Sequence, residues 1–214
     1  MKTLPMAVAV ALILLFLHWE TSAQSGGKSV EQLRFRLDAA RSKFIVHADR
    51  AGIAWFKGKS QFIAAKDFSG EALLTTDLLN PASLVITVRT ASLEETGADF
   101  TDQQKGIIKK ELDELVLESG KYPEITFRST QVSGKAAGGG SFDVKIDGDL
   151  MLHGVTKHIM IPARVSLSGD GLRAVGEFYV NRKKFGVNAT DAFHGFVRVK
   201  HKLRFTFDII GTRS

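Results

Sequence analysis

Apolar and polar residues alternate along most of this chain, which is the pattern of β-strands that bury one face and turn the other to water. In 143–152, Val, Ile, Gly and Leu fill the even positions, and mostly Asp and Lys fill the odd ones. The alternation resumes in 159–167 and again in 172–180, after turns that contain Gly154 and 168–171. Glycine can take the positive φ that such tight turns need. The pattern therefore predicts three strands in a meander.

One segment departs from the alternating pattern. Thr101, with Gln104 three residues later, forms a capping-box sequence, and Ile108 and Leu112 then recur at helical spacing. The chain thus predicts one amphipathic α-helix at about 101–118, whose apolar face has to cover an apolar surface. The remaining alternating runs predict strands at about 33–37, 42–49, 59–66, 69–77, 83–90 and 196–207.

The beginning of the chain has the composition of an export signal. A basic residue precedes an apolar run at 6–17, and small residues follow it. We therefore predict a secretory signal peptide at 1–23, a flexible polar lead-in at 24–32 and one domain at 33–214. The chain contains no cysteine, so disulfides and thiol chemistry are excluded and burial alone has to stabilise the fold.

Four short blocks of sequence resemble the YceI-like family and follow one another in the family's order. They are SLEETG at 92–97, YPEITF at 122–127, GDLMLHGVTK at 148–157 and FGV at 185–187. The resemblance implies an all-β fold, an antiparallel eight-stranded lipocalin-like barrel with the predicted helix flanking it. It also implies a periplasmic or secreted protein whose apolar interior holds a long isoprenoid chain, with no cofactor required beyond that bound lipid.

No pattern typical of a catalytic or metal site is present in the sequence. It has no Gly-x-Ser-x-Gly elbow, no His-Glu-x-x-His pair, no phosphate loop and no dinucleotide-binding glycine fingerprint. His153 and His158 flank a turn and do not share a helix face, so we predict no metal site. Acidic residues such as Glu95 and Glu111 are interpreted as exposed charge. We therefore predict a binding protein and not an enzyme.

His47 and His201 leave several interpretations open. His201 has the same strand parity as apolar Val199 and Leu203, which would place a polar ring in an apolar interior. A buried polar group without a hydrogen bond costs about 1–3 kcal/mol. His201 is therefore a hydrogen-bonded core residue, the site of a local bulge, or a contact for a ligand's polar head. A hydrolase or isomerase that uses His47 or His201 remains a third functional hypothesis.

The predicted interior is rich in phenylalanine, with 15 Phe against 2 Trp and 2 Tyr. Large rings that alternate with small residues either fill a small barrel or line a tube for one ligand. A tube would bind a polyprenyl chain by burial, at ~25 cal/mol per Å². The family resemblance favours the tube. Our candidate lining residues are Phe44, Val46, Phe62, Ile86, Val88, Phe127, Leu150, Leu152, Ile161, Phe178, Val180, Phe185, His201, Phe205 and Phe207.

Two lysines stand where the family pattern has other residues. Gly58-Lys59 replaces a Gly-His pair, and Lys184 replaces an acidic residue before the Phe-Gly pair. If these lysines lie at the mouth of the barrel, they favour an anionic ligand head such as a polyprenyl phosphate or a fatty acid. Lys59 and Lys184 are therefore candidate head-group residues.

The chain is basic, with 29 Lys and Arg against 23 Asp and Glu and a net charge of +6. Four of the cations, Arg198, Lys200, Lys202 and Arg204, alternate along the outer face of the last predicted strand. This basic stripe is either a solvated exterior or a surface for anionic membrane lipids. We predict no nucleic-acid partner, and a homodimer remains open.

Together these features predict an exported, non-catalytic protein that carries or sequesters an isoprenoid or another long apolar lipid in its barrel. The alternative, from a different functional class, is an envelope protein with a filled core whose basic face contacts anionic partners.

Overall fold

The computed structural model describes residues 32–51, 60–75, 82–188 and 198–214. The predicted signal peptide at 1–23 and all but the last residue of the predicted lead-in lie outside these ranges. The strands are β1 Gln32–Ala48, β2 Arg50–Ala51, β3 Gln61–Ala65, β4 Phe68–Thr75, β5 Ser83–Arg89, β6 Leu93–Glu95, β7 Glu124–Gly138, β8 Ser141–Leu152, β9 Val155–Ser168, β10 Gly171–Asn181, β11 Arg198–Val199 and β12 Lys202–Arg213.

Eight of these strands form a closed antiparallel barrel, which confirms the predicted fold. The ring runs β1, β4, β5, β7, β8, β9, β10 and β12, and β12 pairs again with β1. The two halves of β1 have different partners on its other side, β4 along the first half and β3 along the second. The separately predicted strands at 33–37 and 42–49 are thus one strand, whose pairing with β12 shifts between Asp38 and Lys43.

The barrel has two ends that differ in construction. At one end lie Ala48, Leu152 and Asn181, together with helix α1, Asp102–Glu111, and we name it the helix end. At the other, the far end, lie Gln32 and the tight β7–β8 and β9–β10 turns. The predicted capping box is present: Gln104 N donates to Thr101 Oγ1 at 3.3 Å, and Thr101 N donates to Gln104 Oε1 at 3.0 Å. A wider π-helical turn, Leu112–Val116, continues α1 to the predicted boundary.

The turn between β8 and β9 is tighter than the sequence predicted. It consists of His153 and Gly154 alone, with φ of 52° and 72°, and β9 already begins at Val155. Two positive φ values in succession match the twist of the flanking strands.

The last predicted strand is interrupted where His201 lies. The backbone of Lys200 donates to Asp49 O at 2.9 Å, and the backbone of Arg182 donates to His201 O at 2.9 Å. The chain bends at these two residues, so β12 begins only at Lys202. Of the alternatives considered for His201, the local irregularity is the one observed: the side chain is exposed and does not enter the interior.

Candidate functional site

The barrel interior holds an apolar cavity in two chambers. The near chamber lies at the helix end with a volume of about 200 Å³, and the far chamber has a volume of about 100 Å³. Four side chains line both chambers and so form the waist between them: Phe44, Ile86, Ile161 and Phe178. The interior is therefore not a filled core, because it holds two apolar spaces that share these four side chains.

Inward-facing glycines make room for two of the large rings. A Cβ on Gly148 would lie 2.6 Å from Cζ of Phe127, and a Cβ on Gly176 would lie 2.6 Å from Cζ of Phe207. Each ring therefore occupies the space above a glycine of a neighbouring strand. The phenylalanine-rich sequence can leave a cavity because these rings lie against the wall instead of crossing the centre.

Most of the candidate lining residues face this cavity. The near chamber is lined by Val46, Val88, Phe127, Leu150, Leu152, Val180 and Phe205, the far chamber by Phe207, and the waist residues by definition contact both. These positions follow from strand parity, since alternate residues of each barrel strand point inward. Their placement makes them available to a ligand, and ligand binding by them stays a prediction.

Other candidates lie elsewhere. Phe62 is on the outer face of β3, where its ring meets His47 at 5.3 Å between centroids, because the neighbouring Ile63 takes the inward position. Phe185 is only 2% exposed and belongs to the hydrophobic core, but it borders neither chamber. His201 and Lys184 are exposed outside the cavity. Lys59 lies outside the described residues.

The helical segment closes one side of the near chamber. Ile108, Leu112, Val116 and Leu117 line it from above the strands. The helical spacing of these residues predicted an apolar face, but which part of the barrel that face covers depends on long-range contacts that local periodicity does not contain. Hydrophobic residues are also found on the outer side of the segment, where Ile107 is 56% exposed.

Three of the described wall residues of the near chamber are polar, namely Gln61, Glu111 and Arg182, and the sequence did not single them out for this role. Arg182 follows β10 and is 7% exposed. Its guanidinium donates to three backbone carbonyls, Lys200 O at 3.3 Å, Val187 O at 2.9 Å and Val199 O at 3.2 Å. These bonds satisfy many of the hydrogen-bond donors of a buried cation, and they connect Arg182 to the backbone at 187, 199 and 200.

Two of the acidic residues interpreted as exposed charge are not exposed. Glu95 is 4% exposed, and its carboxylate accepts from the backbone N–H groups of Phe62, at 3.1 Å, and Gly97. Glu111 is half-buried on the chamber wall. A sequence signal for Glu111 existed, because it stands between Ile108 and Leu112 on the apolar stripe of the helix.

A hydrogen-bonded contact joins the end of the helical segment to the barrel. His153 Nε2 lies 2.8 Å from Glu118 Oε2, and the His153 ring contacts Tyr122 at 4.2 Å between centroids. Both partners have positive φ, 47° at Glu118 and 52° at His153, and they are the only non-glycine residues with positive φ in the described ranges. Residues rarely adopt this conformation unless their surroundings hold them there.

The outer face of the barrel carries ion pairs between neighbouring strands. Arg173 pairs with Asp208 at 2.7 Å and Arg164 with Asp143 at 2.8 Å, and each hydrogen bond lowers the pKa of its aspartate. Within the predicted basic stripe, Arg204 lies 3.6 Å from Glu177. Much of the cationic exterior is therefore matched by acidic residues, which weakens its field toward an anionic partner.

In the part of the chain that the structure describes, no three histidine or acidic side chains gather as a metal site would require. No described helix is long and apolar enough to cross a membrane.

Comparison with known proteins decides the family. The family model of the YceI-like domain matches residues 35–210, which is nearly the whole barrel. The chain belongs to the YceI-like family. Among curated YceI-like relatives, a UPF0312 protein of Pseudomonas fluorescens is 32% identical over 153 residues, covering 64% of this chain and 73% of its own length. Protein YceI of Escherichia coli is 33% identical over 121 residues, which cover 56% of this chain and about half, 53%, of that protein.

Two solved structures have the same fold. BcnA of Burkholderia cenocepacia superposes with a TM-score of 0.63 over 82% of this chain and 99% of its own, at 19% identity. A polyisoprenoid-binding domain from Saccharophagus degradans gives a TM-score of 0.63 over 85% of this chain and 99% of its own, at 14% identity. At these identities the likeness extends to the fold alone.

Proposed function

We propose that this YceI-like protein is an exported binding protein that carries or sequesters an isoprenoid, or a similarly long apolar lipid, inside its barrel. The observation that carries the proposal is the elongated apolar cavity, with two chambers that meet at the Phe44–Phe178 waist. A tube of Phe, Leu, Ile and Val side chains suits a ligand that has no donors or acceptors along its length.

The chemistry of the wall supports binding as the role. Burial of apolar surface contributes ~25 cal/mol per Å², and it needs no particular orientation of the tail. Apart from Gln61, Glu111, Arg182 and Ser83, the described wall residues have apolar side chains, so we propose a non-catalytic role. The polyisoprenoid-binding domain of S. degradans, which has the same fold, supports isoprenoids as the ligand class.

The open interior argues against the alternative of an envelope protein with a filled core. The basic face that this alternative requires has partners within the barrel: Lys200 lies 3.5 Å from Asp49, and Lys202 Nζ lies 4.3 Å from the centre of the Tyr179 ring. We therefore favour the interior of the barrel, and not its surface, as the functional site.

Native mass spectrometry of the purified protein, followed by solvent extraction and identification of the released lipid, tests this proposal. We expect a stoichiometric prenyl or other long-chain adduct that survives gentle ionisation and is lost on denaturation. A bare protein mass that persists after incubation with polyprenol and isoprenoid quinone would refute the proposal.

Export is a separate part of the proposal and rests on the amino-terminal sequence. Fractionation of cells that express the full chain, with sequencing of the mature amino terminus, tests it. We expect periplasmic or secreted protein that begins at Gln24. Retention of the intact chain in the cytoplasm would contradict export and leave the binding proposal unaffected.

A further inference from the structure

Glu111 lies on the inner face of its helix, whereas acidic residues of an amphipathic helix usually lie on the outer face. It shares the inner face of α1 with Ile108 and Leu112, and all three line the near chamber. An apolar residue at this position would extend the contact with the barrel. A carboxylate there loses part of its hydration without gaining an apolar contact.

Glu111 does not take part in the ion pairs of the helical segment. Lys109 pairs with Asp113, and Lys110 lies 4.0 Å from Glu114. The neighbours of Glu111 one turn away are Ile107 and Leu115, which offer no donor. Within the described ranges, Glu111 has neither a hydrogen bond nor an ion pair. Its acceptor oxygens are available to a ligand.

Arg182 supplies the opposite charge on the same chamber wall. Three backbone carbonyls accept hydrogen bonds from its guanidinium, so many of its donors are already used within the protein. The carboxylate oxygens of Glu111 accept no such hydrogen bond from the described residues. The polar part of the near chamber thus offers a hydrogen-bond acceptor with a negative charge, which repels an anionic head.

We propose that Glu111, with Arg182 beside the same chamber, forms a head-group site that selects lipids with an uncharged hydroxyl head over the phosphate of the same tail. The hydroxyl donates to Glu111, and its oxygen faces the cationic side of the chamber. The tail then extends through the waist into the far chamber. This inference rests on the proposed binding function and names the ligand class for it.

The head-group site reverses the preference expected from the two lysines. Lys184 is exposed and borders neither chamber, so its charge acts on the cavity only through solvent. Among the described residues, the charged ones that line the near chamber are Glu111 and Arg182.

Competition binding with geranylgeraniol and geranylgeranyl phosphate, against one fluorescent prenyl probe, tests the site. The two competitors share a tail and differ only in the head group, which is a neutral hydroxyl in one and an anionic phosphate in the other. We expect the purified protein to prefer the alcohol by about tenfold, a difference that repulsion from one poorly screened charge can supply. Replacing the carboxylate by an amide, Glu111→Gln, should improve binding of the phosphate several-fold. The difference in affinity between the alcohol and the phosphate should therefore become smaller.

The matched control is Glu114→Gln, which removes the same charge three residues away, outside the chamber, and should leave the preference unchanged. Added salt should also narrow the gap in the unaltered protein, which gives a readout that needs no variant. Equal binding of the two competitors, or a preference that Glu111→Gln and salt both leave intact, would overturn the head-group site. If the protein binds neither competitor nor the probe, the proposed function itself fails.

Discussion

The two ends of the barrel are built from the same strands but offer different chemistry. Around the far chamber, Ser83 is the one polar side chain among the described wall residues. Around the near chamber, Gln61, Glu111 and Arg182 interrupt the apolar wall, and a helical segment covers it. A purely apolar space can accept any tail by burial, whereas discrimination requires polar groups at fixed positions. The far chamber therefore suits the apolar tail of a lipid, and the near chamber suits its polar head group.

The two ends also differ in which residues have positive φ. The far-end turns use glycine wherever φ is positive, at 138–140 and at Gly169. The helix end places Glu118 and His153 in that conformation and joins them by a hydrogen bond. Strained residues are retained where neighbouring contacts stabilise them, and they cluster at functional sites. The helix end thus holds the non-glycine residues of the described ranges that adopt this disfavoured conformation.

The largest expected effect comes from removing the boundary between the chambers. The Phe178 ring stacks on Phe205 at 4.9 Å and lies within 6.4 Å of Phe44. We expect Phe178→Ala to lower the free energy of unfolding by about 3–5 kcal/mol, measured by urea denaturation, because it removes a buried ring and leaves a cavity. The control Phe62→Ala, on the outer face of the barrel, should cost clearly less. Equal losses would mean that the waist is not a packed element.

Alanine substitutions at two glycines, Gly148 and Gly176, test the two chambers separately. A Cβ at Gly148 or Gly176 meets a backbone oxygen at 2.5 Å and an aromatic ring at 2.6 Å. We expect Gly148→Ala and Gly176→Ala each to cost about 1–3 kcal/mol of stability from overpacking. Gly176→Ala displaces Phe207 toward the far chamber and should weaken binding of long tails only, whereas Gly148→Ala displaces Phe127 and should weaken all tails. Identical tail-length profiles for the two variants would contradict the two-chamber account.

The contact between the helical segment and the barrel predicts a smaller, local effect. We expect His153→Asn, which removes the bond to Glu118 but tolerates positive φ, to cost about 1 kcal/mol of stability. Amide hydrogen exchange should accelerate in 102–117 and stay unchanged at the far-end turns. His158→Asn, on the exposed face of β9, is the control. Uniform acceleration over the whole barrel would show that the contact does not act locally.

The smallest effect concerns pH at the outer face of the helix end. His47 Nδ1 accepts from Arg204 at 3.1 Å, and burial, followed by the Arg204 charge, lowers the pKa of His47. The folded protein therefore binds this proton more weakly than the unfolded chain does. The contribution of His47 to the stability of the fold is complete above the pKa of histidine in the unfolded chain, about 6.5. It is lost as the pH falls through the lower pKa of His47 in the folded protein.

Thermal melts between neutral and mildly acidic pH measure this loss. We expect His47→Gln to flatten the pH dependence of Tm, because the amide does not titrate. Partial desolvation, followed by the charges of Lys183 and Arg182, also lowers the pKa of His201; because its ring is exposed, His201→Gln should flatten the pH dependence of Tm less. An unchanged slope in His47→Gln would contradict the assignment.

Local patterning predicted the strands and most of the lining residues because strand parity is a local property, whereas the barrel was implied by the family resemblance. Inward residues such as Leu150 and Phe205 needed nothing more than alternation. Parity failed at His201, since a backbone bond from Arg182 to the His201 carbonyl and another from Lys200 to Asp49 interrupt the strand there. It also failed at Phe62, where nothing local says which of two adjacent apolar residues faces inward. Long-range contacts decide both cases.

The polar residues of the near chamber were the hardest part of the site to predict. The helical spacing of Glu111 places it on the inner face, whereas its charge is typical of a surface residue. Charge alone therefore predicts the wrong face for Glu111. Arg182 belongs to a run of three cations, and only the fold shows that it is buried while Lys184 is exposed. Burial of a charged group depends on partners distant in sequence, here the carbonyls of 187, 199 and 200.

The most direct test of the account is the affinity of the protein for uncharged prenyl alcohols of increasing length, from geraniol through farnesol and geranylgeraniol to solanesol. At about 0.3 kcal/mol per non-hydrogen atom, each five-carbon unit that enters the cavity contributes roughly tenfold in affinity. The account predicts that Kd falls steadily past farnesol, as the tail passes the waist and fills the far chamber. A Kd that is independent of tail length would contradict a continuous tail-binding interior.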